Sequence, residues 1–193
     1  MNLSPRPGAS FSRAVLLLAL IAHVVIAGVA WFARAHHGGD FFRYWTIATT
    51  TGRPYLDFQV EFPPGAFAVV KALSWSAPDL HQYESRLLVT NFLADASIFA
   101  SLCWGWGSLA AGVYGAIAVP VLRLLYFRMD LWSIACATLA AAAWRRQRLG
   151  VCAAGLCAGV SLKLWPMCFV GWLVTGRRGR AIVAVAVAAG VLS

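Results

Sequence analysis

Asp40 and Lys163 are charged residues in places where charge is costly. Asp40 follows a long apolar run, in Gly39-Asp40-Phe41-Phe42-Arg43-Tyr44-Trp45. A carboxylate at a membrane boundary can act as a general base and take a proton from an incoming hydroxyl. The bland alternative is an ordinary solvated loop acid. Lys163 interrupts apolar sequence on both sides, in Leu162-Lys163-Leu164-Trp165-Pro166. A charge at such depth is a functional candidate by default, and an ammonium there can hold a phosphate where a lipid headgroup meets protein. The alternative is a lysine whose stem lies in lipid while its head reaches water.

Other groups offer weaker chemistry. Asp130 stands beside Arg128 and Arg123, and Asp95 shares an apolar run with Arg86; either set makes a candidate buried ion pair. His36 and His37 are adjacent and near Asp40, which suits a metal less well than polar anchoring at an interface. Cys103, Cys136, Cys152, Cys157 and Cys168 all lie in apolar runs, an odd count that argues for packing rather than a disulfide framework or zinc site. Gly155 and Gly159 form a G-x-x-x-G spacing that lets helices approach closely.

The elements that position these residues must lie in a membrane. Hydrophobic residues make up 61% of the chain and charged residues 12%, against about 25% charged in a soluble domain. Mean hydropathy is +0.72. A chain of 193 residues has no soluble core large enough to hide that apolar surface. The apolar residues come in long runs, and in lipid each backbone polar group must be paired within its own segment, so the runs read as helices rather than barrel strands.

The expected fold is therefore all-α, a polytopic helical bundle forming one transmembrane domain over residues 1–193. The first span is residues 14–33. Polar sequence follows to residue 84, with residues 35–83 read as an outer loop. Within it, an island at 65–75 is too short to span and reads as an interfacial or re-entrant helix started by Pro63 and Pro64. Further runs cover 87–104, 108–127, 131–144, 149–162 and 165–175, with Lys163 near the outer turn of a hairpin. The last run, 181–193, is short of the roughly 17 residues a span needs, so the chain reads as the N-terminal portion of a longer protein.

Arginines set the expected orientation. Arg6 and Arg13, Arg145, Arg146 and Arg148, and Arg177, Arg178 and Arg180 form three basic clusters that belong in the cytoplasm, with the N-terminus. Asp40, Asp57, Glu61, Asp79 and Glu84, five of the seven acids, all follow the first span and so belong outside. A cleavable secretory leader is the alternative reading of the first run, and it too leaves Asp40 outside. The net charge of +9 suits topology and anionic headgroups. No soluble basic face is present for nucleic acid.

Two ordered blocks carry a resemblance. The first is Asp40, Tyr44, Gly52-Arg53-Pro54-Tyr55, Asp57-Phe58 and Glu61-Phe62-Pro63-Pro64-Gly65-Ala66. The second is Arg128-Met129-Asp130-Leu131, then Arg145-Arg146-Gln147-Arg148-Leu149-Gly150, then Leu162-Lys163-Leu164-Trp165-Pro166. Together they resemble the GT-C-fold, polyprenol-phosphate-mannose-dependent mannosyltransferases of bacteria, common in actinobacteria. The resemblance implies an enzyme of the bacterial plasma membrane. It would transfer a sugar, with mannose the first candidate, from a polyprenyl-phosphate donor to a glycolipid or glycan acceptor at the outer face. It implies Asp40 as the catalytic base, with Lys163, Arg43, Tyr44, Tyr55, Glu61, Arg128 and Asp130 binding substrate. No metal or other cofactor is expected, since the donor arrives already activated. Members of that family are longer, with further helices that complete the cavity. The competing expectations are a transporter or lipid-binding protein using Lys163 and Asp95 as buried charges, and a non-catalytic fragment.

Overall fold

The computed structural model describes residues 8–33 and 40–169. His36 and His37, Arg6, the basic cluster at 177–180, the run 181–193 and most of 165–175 lie outside the described residues.

Among the described residues the chain is helical: α1 (Gly8–Ala33), α2 (Asp40–Thr49), α3 (Pro64–Ser74), α4 (Leu80–Trp106), α5 (Ser108–Tyr126), α6 (Asp130–Arg145) and α7 (Leu149–Leu162), then a 3-10 turn at Trp165–Met167. Three segments are long and apolar enough to cross a membrane: Arg13–Phe32, Leu80–Trp106 and Ser108–Tyr126. α6 and α7 are shorter, at 16 and 14 residues.

The distribution of side chains on α1 is compatible with a helix that crosses a membrane. Its outward positions carry Leu18, Ile21, Val24, Val25 and Val29, and Phe32 is 86% exposed. Its buried positions are Ala19, His23 and Ala30. Where the surroundings are hydrocarbon, burying leucine gains little, and helices are held by the close approach of small residues and by polar contacts. α5 supplies the small partners. A Cβ on Gly112 would lie 2.8 Å from Val15, and one on Gly115 would overlap the Ala19 methyl. Gly115→Val is therefore expected to wedge α1 from α5 and cost about 1–3 kcal/mol, as overpacking does; the thermal midpoint in detergent measures it.

Two helices depart from the hydropathy reading. α4 begins at Leu80, seven residues before the apolar run, because the Asp79 carboxylate caps it by accepting from the Gln82 N–H at 2.8 Å. Glu84, read as an outer-stretch acid, consequently sits on α4 and is buried. α2 forms where a loop is expected, so Asp40 is the first residue of a helix.

Connections are tight. Gly107 alone joins α4 to α5; its φ of +98° is a conformation glycine adopts without strain. On α7, Gly155 packs on Cys136 and Ala140 of α6, and Gly159 on Cys136, which is the close approach their spacing implies. The consecutive antiparallel order of α4 to α7 brings the α5–α6 turn and the end of α7 to one end of the bundle. The α6–α7 turn lies at the other, where Arg146 donates to the Trp104 carbonyl at the end of α4 (2.7 Å).

Candidate functional site

The first turns of α2 and α6, the α5–α6 turn and the end of α7 meet around one cavity. α2 buries Phe41, Tyr44 and Ala48 against the core. Asp40 and Arg43 are thereby left on its open side, where both line the cavity. α3 starts at Pro64, as its missing N–H and fixed φ favour. A Cβ on Gly65 would stand 2.7 Å from the Ser161 carbonyl oxygen and 2.8 Å from its Cβ, so glycine lets the start of α3 press directly on the end of α7. That contact carries Glu61, Phe62 and Pro63 to the cavity wall facing Lys163. α7 stops at Lys163, whose backbone is extended (φ −153°, ψ 144°), just ahead of Pro166. The Trp165 indole then donates to Ser133 Oγ of α6 at 3.0 Å, closing that wall.

The cavity measures about 470 Å³, within the roughly 300–1,000 Å³ of sites that hold small molecules. Charges link its sides in series. Lys163 Nζ donates to Asp130 Oδ1. Asp130 Oδ2 accepts from Arg128 Nε at 2.9 Å. Arg128 Nε stands 3.4 Å from Asp40 Oδ2. Arg43 pairs with Glu61 across the mouth. Three cations thus face three carboxylates, and the formal charges of the pocket balance. Any anion that binds there must compete with carboxylates already paired to these cations.

Two titrations sharpen this picture. Burial, then the Asp40 charge, pushes the Tyr44 phenol up to about 12, so it stays an O–H donor at ordinary pH. The neighbouring Asp130 carboxylate raises Arg128 further above its ordinary range and fixes it as a cation.

Of the residues the sequence marks, Asp40, Arg43, Tyr44, Glu61, Arg128 and Lys163 line one cavity, and Asp130 joins two of its cations. Tyr55 stands apart. Its hydroxyl donates to the Phe62 carbonyl at 2.8 Å and its ring packs edge-on to Phe67, so it braces the segment behind the wall. Arg86 does not pair with Asp95. Its guanidinium donates to Ser76 Oγ and to the carbonyls of Leu73 and Ser76, while Asp95 meets His23 of α1 at 2.6 Å. His23, Asn91, Tyr114 and Tyr126 are polar contributors the sequence reading passes over. The available signal is that each is a polar group in an apolar run, obliged to find a buried partner. Among the described residues no cluster of three or more histidine, cysteine or acidic side chains is arranged for a metal. Comparison with protein-family models, with curated proteins and with solved structures finds no match for this chain.

Proposed function

We propose that this chain carries the catalytic face of an integral membrane glycosyltransferase of GT-C type. In this reading it transfers a hexose, mannose first among candidates, from a polyprenyl-phosphate donor to a hydroxyl of a glycolipid or glycan. The reaction takes place at the outer face of a bacterial plasma membrane, with the N-terminus cytoplasmic. The observation that carries the reading is that Asp40 and Lys163, far apart in the sequence, line one cavity and are joined through Asp130 and Arg128.

The chemistry follows from that series of charges. Asp40 accepts the proton of the acceptor hydroxyl as its oxygen attacks the anomeric carbon. The bond from that carbon to the phosphate oxygen breaks, its electron pair stays with the phosphate, and the anomeric centre inverts. The phosphate gains one negative charge in the step while Asp40 loses one. Arg128, released from the neutralised Asp40, is free to turn to the leaving phosphate, and Lys163 meets the same charge from the far wall. Charge moves across the pocket without changing its total, which keeps the barrier low in a site of low dielectric.

The test is transfer of labelled sugar from polyprenyl-phosphate mannose, and from other polyprenyl-phosphate hexoses, in membranes containing the chain. Lys163→Met should lower transfer by about 10²–10³-fold, the usual loss when a group stabilising transition-state charge is removed. Absence of transfer from every such donor, or undiminished transfer in the Lys163→Met protein, refutes the reading.

A further inference from the structure

A second polar cluster lies among the membrane-length helices and takes no part in the chemistry above. Asp95 of α4 accepts from the Tyr114 hydroxyl of α5 at 2.6 Å through Oδ1, and from the Tyr126 hydroxyl at 2.9 Å through Oδ2. Oδ2 also meets His23 Nδ1 at 2.6 Å, and His23 Nε2–H donates to the Gly115 carbonyl at 3.0 Å. One turn earlier on α4 is Asn91, fully buried. Its amide donates to two carbonyls, Tyr126 at 2.7 Å and Arg128 at 3.0 Å. Both partners are acceptors, so the amide nitrogen must face them.

These carbonyls belong to the end of α5 and the turn beyond it, where a helix runs out of its own donors. Asn91 therefore caps α5 from a neighbouring helix, at the turn that carries Arg128. Tyr126 is held twice, by its carbonyl on Asn91 and its hydroxyl on Asp95. The arrangement has a cost, because Asn91 Oδ1 is buried without a hydrogen-bond partner. An apolar residue of the same size would leave no such oxygen. It would instead strand the Tyr126 and Arg128 carbonyls, so what the asparagine secures is the turn that carries them.

We propose that Asn91 is a positioning residue for Arg128, fixing the guanidinium between Asp40 and Asp130. The proposal rests on Arg128 being a working cation of the pocket, as argued for glycosyl transfer.

The first test needs no substrate. The full chain in detergent is treated with phenylglyoxal, and modification of each arginine is followed by mass spectrometry. In the Asn91→Leu protein Arg128 should react about ten-fold faster, the equivalent of one to two lost hydrogen bonds. Arg43, on α2 and paired to Glu61, should keep its rate. An unchanged Arg128 rate, or equal acceleration of both arginines, overturns the proposal. Should the leucine variant fail to fold, Asn91→Ser keeps one donor and should give an intermediate Arg128 rate; a wild-type rate there counts against the proposal.

The second test uses binding of a polyprenyl monophosphate. Asn91→Leu should weaken binding about ten-fold with Arg128 present and not at all in an Arg128→Ala background, since residues acting through one another are non-additive. Equal weakening in both backgrounds overturns the positioning role. If the wild-type protein binds no polyprenyl phosphate while Arg128 is still loosened by Asn91→Leu, the transfer reading fails and the positioning role stands.

Discussion

Asp40→Asn is expected to lower sugar transfer by about 10³-fold, within the range a general base contributes, while binding of polyprenyl phosphate holds or tightens. Asparagine matches aspartate in size and still accepts hydrogen bonds, but it cannot take the acceptor's proton. It also removes one of three carboxylates from a neutral pocket, leaving an excess of one positive charge. Arg128 then has Asp130 as its one remaining acidic partner here and is freer to meet a phosphate. Turnover and lipid affinity should therefore move in opposite directions. Lys163→Met should reduce both, because it takes away a cation rather than the base. Transfer rates and lipid dissociation constants of the two variants, measured side by side, separate a base from a phosphate ligand. Full transfer activity in the Asp40→Asn protein ends the assignment of Asp40 as base. A parallel fall in affinity would reassign it to substrate binding.

The sequence marks Asp40 and Lys163 because each is a charge next to lipid-like sequence, where it needs a reason to be. It does not show that they meet. That depends on α5, α6 and α7 running antiparallel, so that Arg128, Asp130 and Lys163 return to one end. Hydropathy locates the three membrane-length helices well, since lipid demands long apolar runs. It misplaces the start of α4 and overlooks α2, because hydropathy reports depth in lipid rather than helicity, and His81, Gln82 and Ser85 are as helical as Leu87. The Asp79 cap is the local signal that marks the true start. The pairing of Asp95 with Arg86 fails on helix geometry. At 100° per residue, nine residues put Arg86 on the opposite side of α4, whereas Asn91, four residues away, shares the face of Asp95. His23 escapes notice because one imidazole hardly alters the mean hydropathy of its run.

Asp95→Leu is expected to be the most destabilising single change among the described residues. It strands His23 Nδ1 and the hydroxyls of Tyr114 and Tyr126 without their acceptor in an apolar interior. Single hydrogen bonds between membrane helices average only about 0.6 kcal/mol, so three lost bonds alone would amount to little. The larger cost comes from leaving one half of a buried charge-bearing pair, about 3–5 kcal/mol. For a chain of this size that corresponds to a fall of roughly 10 °C in the thermal midpoint. His23→Leu should cost a similar amount, because Asp95 would keep two hydroxyls but no basic partner. The double variant decides between the two terms. With both members replaced by leucine no charge is stranded, and the α1–α4 contact becomes apolar. The double variant should then be more stable than either single one, a non-additivity of at least about 3 kcal/mol. Singles that each cost under about 2 kcal/mol, or a double that costs their sum, would mean the cluster acts as independent hydrogen bonds. Recovery of stability would instead show Asp95 and His23 acting as one coupled pair across the helices. Because Tyr126 ends α5 at the turn bearing Arg128, a rescued fold with impaired phosphate binding would trace the influence of the Asp95 contacts to the pocket.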